Sequence, residues 1–113
     1  MNEPDSAIVR AVRAAAARRI LFLPHALDRM NATDPMISVD ELRQVIQQGD
    51  LVEDYPDDVR GHSCLLAGHG ERGRILHVVC APKTAYLAVI TAYLPSPDRW
   101  HPNWRTRREE SKE

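Results

Sequence analysis

The stretch Arg74–Leu94, RILHVVCAPKTAYLAVITAYL, decides the fold, because two long runs of β-forming residues meet there across a short loop. Valine, isoleucine, tyrosine and threonine are frequent in these runs, and the loop Ala81–Thr84 separates them. With a period of two, each run presents apolar residues on both faces, which is typical of strands in the middle of a sheet. The stretch therefore predicts a central β-hairpin.

One face of this hairpin also carries polar side chains. His77 lies in the first run, and Thr91 and Tyr93 end the second run, at the same parity as Leu87 and Val89. If the runs pair so that His77, Thr91 and Tyr93 share a face, then an imidazole, a hydroxyl and a phenol meet on an otherwise apolar surface. This cluster is the first candidate for chemistry.

Two shorter strands are predicted before the hairpin, at Leu51–Tyr55 and His62–Ala67. Pro56 ends the first of them, and a glycine-rich loop over residues 68–73 follows the second. Four consecutive strands with short connections indicate an antiparallel sheet.

Helical segments precede these strands. Asp5 or Ser6 can cap a helix that runs to about Arg19. Pro24 suits the first turn of a short helix, and the range Ser38–Gly49 opens with an S-x-x-E capping box and closes with glycine.

The order of these elements predicts an α+β fold in which two or three N-terminal helices pack on one face of a four-stranded antiparallel sheet. With 113 residues, the chain is long enough to bury one hydrophobic core. We expect one α+β domain over residues 1–95 and a tail rich in proline, tryptophan and arginine over residues 96–113.

The composition excludes several classes of protein. No apolar run approaches the length of a membrane span, and arginines interrupt the alanines near the N-terminus, so we expect neither a membrane partner nor a signal peptide. The chain is therefore predicted to be cytoplasmic. Its net charge of −1 indicates that any contact with nucleic acid depends on a local basic patch.

The histidines and cysteines of the strand region do not form a familiar metal motif. Their spacing fits no common zinc pattern, and strand alternation would scatter them. We therefore expect no metal and no other cofactor, and reduced thiols rather than a disulfide. The residues concerned are His62, Cys64, His69, His77 and Cys80.

Two other regions carry candidate binding residues. His25 and Arg29 stand at i and i+4 of the short helix, so one face of this helix presents an imidazole and a guanidinium. The pair either binds a phosphate, or has only a structural role while the apolar residues of the helix pack and His25 bonds to the backbone. In the tail, Trp104 and Arg105 belong to an alternation of aromatic and cationic residues that suits single-stranded RNA. The same residue types also anchor protein partners or pack a tail onto a sheet. Of the two tryptophans, we expect Trp100 to be the more deeply packed.

Five segments of the chain form a recognisable series. They are HALDRM at 25–30, ISVDELRQVIQQGDLVEDYP at 37–56, RG at 60–61, GRILHVV at 73–79 and ITAYLPSPDRW at 90–100. Together they resemble the bacterial domain-of-unknown-function family DUF4258, of the RelE/BrnT/MqsR-like toxin superfamily. The resemblance covers nearly all of the chain from Ile20 to Arg108.

The resemblance implies helices on one face of a small antiparallel sheet. It also implies a type II toxin–antitoxin module, with a cognate antitoxin as partner that is often an MqsA-like zinc-finger protein. Toxins of this superfamily are typically metal-independent endoribonucleases that act on mRNA, in some cases only on the ribosome. The resemblance assigns no catalytic set.

Metal-free RNA cleavage uses the 2′-hydroxyl of the substrate as the nucleophile, so the protein has to move protons and stabilise charge on the phosphate. Histidine suits the proton transfers and arginine the phosphate. We hypothesise that His25 and His77 supply the acid and the base, in unassigned order, which requires that His77 and the helix of His25 face the same cleft. The alternative is a non-catalytic module of the same fold that binds protein or RNA. Under the hypothesis the catalytic residues are His25, His77 and Tyr93, and the residues that bind RNA or phosphate are Arg29, Arg60, Thr91, Trp104 and Arg105.

Overall fold

Three helices and five strands make up the chain in the computed structural model, which describes residues 6–108. In chain order they are α1 (Ala7–Arg18), β1 (Ile20–Phe22), α2 (Pro24–Ala32), α3 (Val39–Gln48), β2 (Asp50–Tyr55), β3 (Ser63–His69), a short 3-10 turn (Glu71–Gly73), β4 (Ile75–Pro82) and β5 (Leu87–Tyr93). The strands form one sheet in the order β1-β5-β4-β3-β2. The predicted α+β class and the central hairpin of β4 and β5 are confirmed.

The sheet differs from the prediction by one strand. The expected four antiparallel strands are present, but β1 pairs with β5 in parallel, with Ile20 opposite Leu87 and Phe22 opposite Val89, so the sheet is mixed. A run of three residues is too short to show an alternating pattern, and its partner lies more than sixty residues away. The sequence pattern therefore did not reveal β1.

Local signals begin and end the helices as predicted. Ser6 caps α1 by accepting a hydrogen bond from the Val9 amide at 3.2 Å, and Asp5, the other candidate cap, lies outside the described residues. Both bonds of the α3 capping box are present. Gly49 ends α3, where an added Cβ would lie 2.7 Å from the carbonyl oxygen of Ala67. Glycine is required there because β3 approaches so closely.

The hydrophobic core lies between the helices and one face of the sheet. Helix α1 packs against β4 and β5, α3 packs against β3 and β4, and α2 packs against β5. The side chains of this core come from the inward faces of the helices, from the loop before α3 and from alternate strand positions. They include Ile8, Val12, Met30, Ile37, Leu42, Ile46, Leu66, Leu76 and Leu87.

A β-bulge in β5 separates residues that simple alternation would place together. Cys80 of β4 pairs with Val89, whereas the adjacent Val79 pairs with Thr91, so Ile90 is the extra residue. A bulge reverses the alternation of side chains beyond it. Leu87 and Val89 therefore join the core beneath the helices, and Thr91 faces the other side of the sheet.

A buried ion pair joins the start of α3 to the turn between β3 and β4. The Glu41 side chain is fully buried and accepts two hydrogen bonds from Arg74, at 2.7 and 2.8 Å. It also accepts bonds from the Ser38 and Glu71 amides. The hydrogen bonds from Arg74 lower the pKa of Glu41 to about 2, although burial opposes this shift.

Acid should weaken the fold through Glu41. In the unfolded chain this carboxyl has its ordinary pKa of 4.5, so its contribution to stability is complete above pH 4.5 and is lost as the pH falls towards about 2. We expect the stability difference between the wild type and Glu41→Gln, measured by urea unfolding, to shrink by roughly 3 kcal/mol over this range. A difference that stays constant with pH would contradict this assignment.

Candidate functional site

The C-terminal tail folds back over the sheet face that lies opposite α1 and α3. Trp100 is 2% exposed, and its ring meets the His77 ring edge to face with 4.5 Å between the ring centres. Trp104 is only half-buried, which confirms the expected difference between the two tryptophans. Of the three interpretations of the tail, packing onto the sheet is the one that the structure shows.

His77 holds the tail in place. Its side chain is fully buried, and its Nε2 lies 2.7 Å from the backbone carbonyl oxygen of Trp104. Because a carbonyl can only accept, Nε2 carries the proton, and Nδ1 is left to accept from the Tyr93 hydroxyl at 3.4 Å. Burial lowers the pKa of His77, which keeps the imidazole neutral near pH 7. His77 is thus a structural anchor that solvent does not reach.

Two ion pairs fasten the tail to β2. Arg107 donates two hydrogen bonds to Glu53, at 2.7 and 3.0 Å, and its guanidinium lies 4.7 Å from the centre of the Trp100 ring. This pairing raises the pKa of Arg107 and lowers that of Glu53. Arg105 pairs with Asp50 at the start of the same strand. The side chain of Arg105, predicted to contact RNA, is therefore already engaged within the fold.

At the edge of this face, α2 meets the end of β5. The Arg29 guanidinium lies 5.7 Å from the centre of the Tyr93 ring, which is a cation–π contact. His25 stands one turn before Arg29 on the same helical face and is exposed to solvent. Tyr93 lies directly opposite His77 in the β-ladder, which confirms the predicted shared face. The structure thus brings His25, Arg29 and Tyr93 to one accessible edge of the sheet.

Positive charge concentrates around Tyr93. Burial and the Glu53 carboxylate raise the pKa of the Tyr93 phenol, and three nearby guanidinium groups oppose this rise; they belong to Arg107, Arg29 and Arg99. Within residues 6–108, neither Arg29 nor Arg99 has a carboxylate partner, in contrast to Arg107. We call the set His25, Arg29, Tyr93 and Arg99 the edge cluster.

Arg60 does not belong to this cluster. It lies in the turn between β2 and β3, at the opposite end of the sheet from Tyr93, and forms a two-point ion pair with Asp58 at 3.0 and 3.1 Å. This pair lowers the pKa of Asp58 and raises that of Arg60. The Arg60 side chain is thus paired with Asp58 in its own turn and does not reach the edge cluster.

Thr91 faces the same side of the sheet as Tyr93, and its Oγ1 is buried without a hydrogen-bond partner among the described residues.

Arg99 belongs to the edge cluster but was not among the site residues predicted from the sequence. The sequence signal for Arg99 is its place beside Trp100 in the segment ITAYLPSPDRW, since a buried tryptophan fixes the position of its neighbours.

Three further features of the described residues concern the cysteines, groups of metal-ligating side chains and the length of the helices. Cys64 and Cys80 face each other across β3 and β4, and both are buried and free. Over residues 6–108, no three histidine, cysteine or carboxylate side chains come together as a metal site. None of the helices in this range has the length and apolar character needed to cross a membrane.

Comparison with known proteins gives one match. The model of the family described as "Domain of unknown function (DUF4258)" matches residues 22–94, which is well over half of the chain. The matched range runs from the end of β1 to the residue after β5, so it includes His25, Arg29 and Tyr93 but not Arg99. No curated protein and no solved structure matches the chain.

Proposed function

The chain belongs to the DUF4258 family, and we propose that it is the toxin of a type II toxin–antitoxin module, a metal-independent endoribonuclease that acts on mRNA in the cytoplasm. We also assign the family to the RelE/BrnT/MqsR-like toxin superfamily, as the series of motifs in the sequence implies. One observation supports the activity most directly. Arg29, which has no carboxylate partner among the described residues, lies on the Tyr93 ring one helical turn after the exposed His25.

The edge cluster has the groups that metal-free RNA cleavage requires. Arg29 and Arg99 offer permanent positive charge to the phosphate, whose negative charge grows on its non-bridging oxygens during the reaction. His25 accepts the proton of the 2′-hydroxyl as this oxygen attacks phosphorus. The bond from phosphorus to the 5′ oxygen breaks, and this oxygen takes a proton from solvent. The products are a 2′,3′-cyclic phosphate and a 5′-hydroxyl end.

The buried His77 and the half-buried Tyr93 position the Arg29 guanidinium rather than touch the substrate. His77 Nδ1 accepts a hydrogen bond from the Tyr93 hydroxyl and so orients the phenol, and the Tyr93 ring in turn supports the Arg29 guanidinium. The hypothesis of His25 and His77 as an acid and base pair is therefore modified. His25 keeps the role in proton transfer, and His77 becomes a positioning residue.

Cleavage of RNA in the presence of EDTA tests the proposal. We expect the full chain to cut a long single-stranded RNA into products with 5′-hydroxyl ends, and His25→Ala or Arg29→Ala to slow this cleavage by about 100-fold, because a general base and a phosphate-binding donor each contribute on this scale. Gel electrophoresis gives the rate, and end-labelling by a polynucleotide kinase without prior phosphatase treatment identifies the 5′ ends.

Two matched variants serve as controls. His62→Ala removes an exposed histidine at the far end of the sheet, and Arg72→Ala removes an exposed arginine in the turn before β4. Both should cleave at the wild-type rate. Equal rates for His25→Ala and the wild type would contradict the assignment of the edge cluster. A parallel test is growth arrest on expression, which Arg29→Ala should relieve.

A non-catalytic module that binds protein or RNA is the second candidate. The observation that favours it is the closed sheet face, where the tail covers His77 and where Arg105 and Arg107 are paired with carboxylates. This candidate predicts stable binding of RNA, or of a cognate antitoxin such as an MqsA-like zinc-finger protein, without cleavage either of free RNA or of mRNA on ribosomes.

A further inference from the structure

A second concentration of arginines lies on the helical side of the molecule. A cleft opens between the C-terminal half of α1 and α3. Its volume of about 300 Å³ is at the low end of the range for pockets that bind small molecules. Four arginines line it together with Gln47, and no carboxylate is found among the described residues of its wall. The arginines are Arg13, Arg18, Arg19 and Arg43. In a chain with a net charge of −1, this clustering concentrates positive charge in a concave site.

Two of these arginines have roles within the fold. Arg13 donates hydrogen bonds to the carbonyl oxygens of Ile46 and Gly49, at 3.2 and 3.0 Å. These carbonyls lie at the end of α3, where the helix dipole favours a cation. Arg18 donates to the carbonyl oxygen of Thr84 at 2.5 Å. Both side chains shape the walls of the cleft.

The other two arginines have no such explanation. Arg19 and Arg43 are exposed, and over residues 6–108 neither side chain has a hydrogen-bond or ion-pair partner. Both line the same cleft, although Arg19 directly follows α1 and Arg43 lies within α3. Each guanidinium can donate two parallel hydrogen bonds to a phosphate.

We propose that this cleft binds phosphate groups through Arg19 and Arg43, and that these phosphates belong to the backbone of a single-stranded RNA. The choice of RNA as the source rests on the function proposed above. The cleft adjoins Ile20, which pairs with Leu87 at the start of β5, whereas Tyr93 ends that strand. The two sites are therefore separated by roughly 20 Å along β5. The cleft holds RNA at a distance from the edge cluster and does not take part in cleavage.

The test measures binding independently of cleavage. A fluorescent 2′-O-methyl RNA of about 20 nucleotides lacks the nucleophilic hydroxyl, so that it cannot be cut by the proposed reaction. We expect Arg19→Ala/Arg43→Ala to weaken its binding to the full chain by about ten-fold, as measured by fluorescence anisotropy. The slope of log Kd against log salt should also fall by about 1.4, since two phosphate contacts with a single strand are lost.

Two further variants separate charge from geometry and from general effects. Arg19→Lys/Arg43→Lys keeps both charges, so it should retain most of the salt dependence while it loses the forked hydrogen bonds. Arg72→Ala removes an exposed arginine outside the cleft and should bind as the wild type does. Circular dichroism in the near ultraviolet checks that each variant is folded.

A second titration, with inorganic tripolyphosphate, distinguishes the two sources of phosphate. If the double alanine variant loses tripolyphosphate binding but keeps RNA binding, the cleft is a site for free oligophosphates and the RNA source is rejected. If it binds both ligands as the wild type does, the proposal is overturned. Failure of the wild type to cleave ordinary RNA would count against the edge cluster alone.

Discussion

Glu41→Ala is expected to lower the free energy of unfolding by about 3–5 kcal/mol, because the change leaves the Arg74 guanidinium without its carboxylate in a largely buried position. The loss has two further parts. The capping box of α3 is broken, and the Glu71 amide loses its acceptor. Arg74 also donates to the carbonyl oxygens of Pro35 and Met36, so the loop before α3 should loosen as well. Urea unfolding at neutral pH measures the change.

Asp40→Ala is the matched control for this prediction. Asp40 lies in the same first turn of α3 and bears the same charge, but it is exposed. Its removal affects the helix dipole alone and should cost about 0.5 kcal/mol. Similar losses for the two variants would show that the buried contacts of Glu41 contribute little beyond charge.

Trp100→Ala should have an effect of similar size on stability and should also release the tail. Removal of a large aromatic side chain from a closely packed site costs about 3–5 kcal/mol. Trp100 packs against the His77 ring and beneath the Arg107 guanidinium, so both contacts are lost together. Because Arg99 adjoins Trp100, the edge cluster should lose this cation, and RNA cleavage should fall with it.

Three measurements on Trp100→Ala detect the loss of stability and the release of the tail. Thermal unfolding gives the loss of stability, and limited digestion with trypsin should cut after Arg105 and Arg107 in the variant before it cuts the wild type. NMR titration should show the pKa of His77 rising towards its ordinary value of 6.5, since burial is the main cause of its lowered pKa. Trp104→Ala is the control, and its smaller burial predicts less than half of the stability loss. A tail that stays resistant to trypsin in Trp100→Ala would contradict its role as the anchor.

Much of the fold follows from signals within a few residues of each other. The Ser38 capping box fixes the start of α3, and Pro24 the start of α2, because each satisfies or removes amide donors at the first turn. The apolar runs around Ala81–Thr84 specify the hairpin in the same local way. This hairpin also brings His77 opposite Tyr93. The sequence left their shared face conditional on the register of the two runs, and the folded ladder decides that register.

The alternation of residues was a less complete guide to β5. Period-two alternation placed Thr91 and Tyr93 with Leu87 and Val89, but the bulge at Ile90 sends the two pairs to opposite faces. A bulge depends on how two strands fit against the core, and its sequence signature is weak.

The sequence by itself determined the helices, the hairpin and the candidate residues His25, Arg29 and Tyr93. The tertiary structure determined which cations remain free, because a guanidinium is engaged or accessible according to neighbours that are distant in the chain. Arg105 and Arg107 are paired with carboxylates of β2 more than fifty residues away, whereas Arg29 lies on Tyr93 without such a partner among the described residues. Pairing across such separations depends on the folded backbone, and no local pattern encodes it.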